Sequence, residues 1–293
     1  MDIDQENMAS CGTILGNWCT MRWIKTLISG IVGTAFQLIQ GVMFVLFGPR
    51  RVGTWERSVI LYRLVKARIA NRGRSASSFG EQLVIVEAIL RIPQEKAGAI
   101  AEFGCYKGIS TVVISIAAKS VDRRVIVFDS FEGLPEPEGT VHHIVGGSKL
   151  AYQKGAYTGT LEEVRSVVTK DGEVGQVEFV RGFFSDTLPR RPAGEKYALI
   201  FEDADLVQSV RDILEHAWPR LQEGCVFFCH EALDLEVAKL FYDDAYWLRT
   251  HGQKSPGLAG VGMGLPLNWG KFGAESVSAR LGSSLAAIIK PFR

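Results

Sequence analysis

Residues 99–119, AIAEFGCYKGISTVVISIAAK, read as a strand, a glycine turn and a helix. The short, mostly apolar run Ala99–Phe103 stops at Gly104, a second glycine follows at Gly108, and Ile109 to Lys119 then sets apolar side chains at helical spacing. Residues 125–128, VIVF, supply the next apolar run a few positions on. A strand, a helix and a second strand joined this closely form a crossover unit, which makes the two strands parallel.

On either side of this unit the same alternation continues. Val177–Val180, Ala198–Phe201 and Val226–Cys229 are further strand candidates, each closed by a polar or glycine-containing turn. Helical patterns occupy Glu81–Arg91, Leu161–Val168 and Val210–Leu221. The five apolar runs predict an α/β fold built on a doubly wound, mostly parallel, Rossmann-like sheet. Ser284–Lys290 (SLAAIIK) is expected to add an antiparallel strand beside a partner near Val261–Leu265.

In such sheets ligands bind at the carboxyl ends of the strands, where the strand order reverses. After the first run stand Glu102, Gly104, Tyr106, Gly108, Ser110 and Thr111, a glycine turn opening a helix whose free N–H groups favour a carboxylate or phosphate. A dinucleotide fingerprint would want its second glycine where Tyr106 stands, which argues against a nicotinamide enzyme. Asp129 ends the second run, 25 residues beyond Gly104, within range for a carboxylate that accepts both ribose hydroxyls. Ser130 and Phe131 add a hydroxyl and an apolar wall for an adenine, and Gly182, Ser185 and Asp186 follow the third run near the same base. Together these ends make a nucleoside pocket.

The fourth and fifth runs end in chemistry of another kind. Asp203 and Asp205 lie on one face of an extended backbone, and His230 and Glu231 follow Cys229. Carboxylates this close repel unless a cation or a proton sits among them. Asp203, His230 and Glu231 are therefore candidate ligands of Mg2+ or Mn2+. The competing reading leaves Glu202 and Glu231 on the surface and His230 bonded to a loop carbonyl.

Composition bounds the function classes. The chain has 293 residues, 47% of them apolar and 22% charged, enough for a sizeable core. A net charge of +1 excludes a general nucleic-acid coat, and no nucleic-acid partner is expected. Cys11, Cys19, Cys105, Cys225 and Cys229 show no zinc-type pairing, which points to free thiols in a reducing, cytoplasmic compartment. Thr26–Gly48 runs 23 residues without a charge, long enough to span a bilayer but diluted by Gln37, Gln40 and several glycines. It reads as a span, an in-plane membrane contact or a helix packed on the body.

Between residues 49 and 74 eight basic side chains face one acid, Glu56. Trp55, Val59, Tyr62, Val65 and Ile69 share a helical stripe, with Arg57, Arg63, Lys66, Arg68 and Arg72 beside it. Such a helix suits an anionic surface, here the cytoplasmic face of a membrane, or is an ordinary solvated face. Arg72–Ser78 (RGRSASS) reads as a linker, which divides an N-terminal helical extension, 1–78, from a main domain, 79–293.

These motifs resemble the macrocin O-methyltransferase (TylF-like) family of S-adenosylmethionine-dependent sugar O-methyltransferases. The resemblance rests on AEFGCYKGIST (101–111), VFDSFEGLPEP (127–137), YTGTLEEV (157–164), VRGFFSDTLP (180–189) and the acidic strand end with the helix and WPRL that follow (202–221). It does not reach residues 1–75. It implies a class I methyltransferase body for 79–293, S-adenosylmethionine as cofactor, and a small-molecule, glycan or glycolipid acceptor methylated on a hydroxyl. Carried over by position, Glu102, Gly104 and Gly108 would hold the methionine part of the cofactor, Asp129 the ribose, and Ser185 with Asp186 the neighbourhood of the adenine. Asp203 matches the first metal-binding aspartate and Asp205 an acid that deprotonates the sugar hydroxyl. After the fifth run similar relatives carry paired aspartates, where this chain has His230 and Glu231.

The implied reaction needs an acceptor oxygen held in line with a sulfonium methyl and a base, Asp205 or His230, for its proton. Glu132–Thr160, which contains His142, His143, Tyr152 and Tyr157, is expected to fold over the reactants as a lid. The rival from another class is a membrane-attached binding protein in which the pocket survives without chemistry. Subunit number stays open, a homo-oligomer included.

Overall fold

A computed structural model describes residues 35, 37–75, 77–139, 141–145, 147–260 and 284–292. The start of the apolar run, Cys11, Cys19 and the strand partner expected near Val261–Leu265 lie outside the described residues. In chain order the elements are α1 (37–47), α2 (Thr54–Ala70), α3 (Phe79–Arg91), β1 (Ala99–Phe103), α4 (Ile109–Ser120), β2 (Val125–Asp129), β3 (His142–His143) and β4 (Lys149–Leu150). There follow α5 (Leu161–Asp171), β5 (Val177–Arg181), α6 (Phe184–Thr187), β6 (Tyr197–Glu202), α7 (Val207–Ala217), β7 (Leu221–Cys229), α8 (Leu235–Leu240), α9 (Asp244–His251) and β8 (Ala286–Ile289).

The main sheet has the order β5-β2-β1-β6-β7-β8, and every neighbouring pair is parallel except β7 and β8. From β1 the chain winds through β2 to β5, then crosses to the other side of β1 for β6 and β7. The order therefore reverses between β1 and β6, the doubly wound arrangement expected from the five apolar runs. β1 and β6 are buried along their whole length, as strands covered by helices on both faces must be. β8 is antiparallel as expected, but its ladder partner is β7, with one further bridge from Ala287 to Ala259.

The extension is more closely tied to the body than a linker reading implies. One buried apolar cluster includes Phe44, Val52, Ile60 and Leu64 together with the sheet residues Ile100, Phe128 and Ile200. Ser78 caps α3 by accepting from the Glu81 N–H, while the Glu81 carboxylate accepts from the Ser78 N–H. Gln82 donates to the hydroxyls of Ser75 and Ser77, so the 72–78 connection is a bonded turn.

Several basic side chains expected beside the stripe of α2 are used inside the fold. Arg57 is buried and donates to the carbonyls of Val45, Pro49 and Val52, which closes the turn between α1 and α2. Arg63 pairs with Glu173 at 2.6 Å, and Arg68 donates to the Ser77 carbonyl. Among the described residues no helix is long and apolar enough to cross a membrane.

The insertion between β2 and α5 carries the β3–β4 hairpin. Val145 donates to the Leu233 carbonyl at 2.8 Å, and Ile144 bridges Asp234, so the hairpin is pinned to the segment that opens α8.

Candidate active site

Four hydrogen bonds extend the parallel ladders one residue past the strands. Gly104 donates to the Phe128 carbonyl, Gly182 to Asp129, Asp203 to Phe103 and His230 to Glu202, at 2.9–3.0 Å. The loops after β1, β5, β6 and β7 are thereby fixed to one edge of the sheet, at the switch point. Gly104 has φ +84°, and a Cβ there would lie 1.9 Å from the Asp203 carbonyl oxygen. Only glycine lets the two central loops meet this closely.

A cleft of about 1350 Å³ opens over this edge. Of the residues singled out in the sequence it is lined by Gly104, Tyr106, Asp129, Ser130, Ser185, Asp203, Asp205, His230 and Glu231. Asp129 accepts from the N–H groups of Cys105 and Phe131, each at 2.7 Å and one on each carboxylate oxygen. A second lone pair on each oxygen remains for a guest.

The other expected residues do not line the cleft. Gly108 holds a left-handed N-cap at φ +80°, pressed against Val164. Thr111 is buried and donates to Glu102 at 2.7 Å, and Ser110 bonds the same carboxyl. Phe131 is buried against Phe179, Gly182 forms the turn before α6, and Asp186 is exposed on α6. Glu102 lies fully buried at the end of β1, with Oε1 lacking a hydrogen-bond donor. Burial pushes its carboxyl up to about 8.

At the acidic end one imidazole faces three carboxylates. His230 Nδ1 lies 2.9 Å from Asp203 Oδ1 and 3.6 Å from Glu231 Oε1, and Nε2 lies 3.5 Å from Glu81 Oε1. Burial alone would lower the imidazole, but the Asp203 charge and the bonds to three carboxylates raise it well above its ordinary value. Burial alone would raise Asp203, and the facing imidazole instead holds it below the usual range. Behind them Glu202 and Glu231 are both buried and both displaced upward, first by desolvation. Glu202 Oε2 and Glu231 Oε2 each lack a donor, so nothing offsets the desolvation of these two carboxyl groups at those atoms. The reading of Glu202 and Glu231 as surface residues therefore fails.

Asp205 reaches the cleft from a strained position. Its φ is +60°, and burial followed by the charges of Glu231 and Asp203 raises its carboxyl well above the ordinary value, against a hydrogen bond from Tyr152. Tyr106 and Tyr157 also line the cleft with positive φ, and their rings meet edge to face at 5.8 Å. Such outliers concentrate where function over-determines geometry.

Three contributors escaped the sequence reading. Glu81 lines the cleft from α3; its signal was the S-x-x-E spacing of Ser78 and Glu81 ahead of an apolar helix. Asp234 holds His142 at 2.6 Å, both buried, on the lid side of the cleft. No local pattern joins residues 92 positions apart. Tyr242 also lines the cleft and had no distinguishing context in the sequence.

Comparison with solved structures places this architecture. The O-methyltransferase NovP aligns over 92% of this chain and 100% of its own, with a TM-score of 0.53 at 17% identity, a likeness of fold alone. The fold is that of a class I methyltransferase body. The chain belongs to the macrocin-O-methyltransferase (TylF) family, whose sequence profile it matches over residues 82–244. It is 37% identical over 131 residues to the 8-demethyl-8-(2,3-dimethoxy-alpha-L-rhamnosyl)-tetracenomycin-C 4'-O-methyltransferase of Streptomyces olivaceus, which is 43% of this chain and 50% of that protein. It is 28% identical over 176 residues to the mycinamicin III 3''-O-methyltransferase of Micromonospora griseorubida, 52% of this chain and 69% of that one. The chain thus spans about half the length of the first of these relatives.

Proposed function

We propose that the chain is an S-adenosylmethionine-dependent O-methyltransferase that acts on a sugar hydroxyl of a glycosylated small molecule. The observation that carries this reading is that Gly104, Asp129, Asp203, Asp205, His230 and Glu231 line one cleft. Eleven acidic side chains line it against Arg211, Lys239 and the imidazoles of His142 and His230. Such a wall favours a guest bearing a sulfonium and an ammonium over one bearing a pyrophosphate. The same charge disfavours an acceptor with phosphate beside its reacting hydroxyl.

The donor fits the residues present. The spare lone pairs of Asp129 suit the ribose hydroxyls, and Glu102, buried beneath the cleft floor, steadies the glycine turn through its bond from Thr111. When bound, the cofactor supplies an electrophilic methyl group. Asp205 then accepts the proton of the acceptor hydroxyl, and His230 acts as a positioning residue that fixes Asp203. The lid residues Tyr152 and Tyr157 exclude water over the reacting atoms.

Asp203, His230 and Glu231 would hold a divalent ion, since one ligand atom from each lies within 4.8 Å of the others. Such an ion would offset the repulsion among these carboxylates and would lower the pKa of the acceptor hydroxyl. The free, buried thiols of Cys105, Cys225 and Cys229 fit a reducing compartment.

The test is incubation of the purified chain with S-adenosylmethionine and a panel of rhamnosylated and other glycosylated aglycones, with and without EDTA followed by Mg2+ or Mn2+. The expected result is S-adenosylhomocysteine release matched by a methylated glycoside, lost with EDTA and restored by an ion. Cofactor binding without transfer to any glycoside would support the binding-protein rival instead.

A further inference from the structure

The α1–α2 pair presents an apolar surface that the other described residues leave uncovered. α1 turns Phe44 and Gly41 inward, the glycine close against Leu61 of α2. Its other faces expose Leu38, Ile39, Val42, Met43, Leu46 and Phe47, the last at 69%. α2 buries Ile60, Leu64 and Ala67 and exposes the stripe of Trp55, Val59, Tyr62, Val65 and Ile69, with Trp55 at 81%. Single exposed apolar residues are ordinary, whereas a contiguous group on two neighbouring helices marks a contact surface.

Charge identifies the occupant. Arg50 and Arg51 before α2 and Arg72 after it are exposed, Lys66 is exposed within the stripe itself, and Glu56 is the one exposed acid of residues 50–74. An apolar centre with aromatic residues and a basic rim matches the interface of an anionic bilayer, where acyl chains meet phosphate headgroups. The buried Arg57, bonded to three carbonyls at the α1–α2 turn, holds the two helices in register before any contact is made. The chain ahead of α1 prolongs the same charge-free run from Thr26. We infer that α1 and α2 form an in-plane docking surface for an anionic lipid bilayer, which brings the cleft to amphiphilic acceptors.

The full-length chain is mixed with phosphatidylcholine vesicles, with and without a minority of phosphatidylglycerol, and bound protein is measured by sedimentation. Binding to the anionic vesicles is expected to exceed that to neutral ones by at least about tenfold and to weaken with salt. The double substitution Leu46→Glu and Phe47→Glu should abolish it, and Lys66→Gln with Arg72→Gln should weaken it by about 25-fold, roughly fivefold per basic side chain lost. All four positions are exposed, and unchanged melting curves would verify the fold. As a check that needs no folded charge variant, brominated lipid should quench a fluorescence component that Trp55→Phe removes. Three outcomes would overturn the assignment: no affinity for anionic vesicles, binding unaffected by the Leu46 and Phe47 changes, or a dimer without lipid affinity that these same changes dissolve.

Discussion

His230 Nδ1 stands 2.9 Å from Asp203 Oδ1, where the ends of β7 and β6 meet. The pair joins the cleft to the buried Glu202 and Glu231 behind it, so Asp203 is both a wall of the site and the partner that sets the imidazole. Replacing Asp203 by Ala should lower methyl transfer by at least about 10²–10³-fold, in the range for loss of one preorganised polar group. Affinity for S-adenosylmethionine, measured by calorimetry, should stay within a few-fold, because Asp129 is untouched. Near-normal turnover in this variant would refute the role given to Asp203.

Asp205 takes the acceptor proton in the proposed reaction, and Asn keeps its shape while removing its basicity. Asn also tolerates the left-handed backbone found there, so the loop should hold. Asp205→Asn is expected to cut kcat by about 10²–10⁴-fold with little change in KM for either reactant. A KM effect alone would make Asp205 a binding group.

Glu102 links stability to pH. Its folded pKa of about 8 lies above the ordinary 4.5, so the folded state holds this proton more tightly than the unfolded chain. The associated stability is fully present below about pH 4.5 and is lost as pH rises through about 8, with a ceiling of about 5 kcal/mol. Glu102→Gln should flatten that slope and raise the melting temperature of the cofactor-free protein at pH 8. Parallel pH–melting curves for the two proteins would show that Glu102 is not the titrating group.

How legible the site was depended on range. The glycine turn after β1, Asp129, and the acids after β6 and β7 sit directly behind apolar runs, so local pattern found them. Their meeting in one cleft followed from a parallel sheet, which gathers carboxyl ends on one edge. Glu102, Gly108 and Thr111 were found as a motif, yet they act beneath the cleft floor, because residues of one short turn point to different sides of the helix they open. Asp234 and the pinning of the lid depend on contacts across many residues, which no periodicity records. The α2 stripe was legible too, but its direction was not: an apolar stripe alone does not say whether it faces the core or the solvent, and here Arg57 occupies the buried side.

Gly104 tests the closeness of β1 and β6 directly. A methyl group there would meet the Asp203 carbonyl at 1.9 Å, with backbone on both sides and φ unfavourable for alanine. Gly104→Ala should lower unfolding free energy in urea by about 2–4 kcal/mol, from left-handed strain and the forced separation of the loops. It should also abolish cofactor binding. A folded variant of parental stability would mean that the two loops are less tightly apposed than the hydrogen bonds imply.

The β3–β4 hairpin is held by His142, whose Nδ1 bonds Asp234 at 2.6 Å while its ring stacks edge to face on Tyr152 at 4.8 Å. His142→Ala removes both contacts, but Asp234 still accepts from the N–H groups of Glu236 and Val237, so α8 keeps its cap. The loss should therefore be confined to the hairpin, a local opening rather than global unfolding. The KM of the glycoside acceptor should rise about tenfold, the affinity for S-adenosylmethionine should change little, and limited proteolysis should cut faster within residues 135–155. The split matters because a purely structural defect would lower the melting temperature and both affinities together. If the acceptor KM and the cleavage rate both match the parent, the hairpin is held by its backbone pairing to Leu233, and His142 has no part in closing the site.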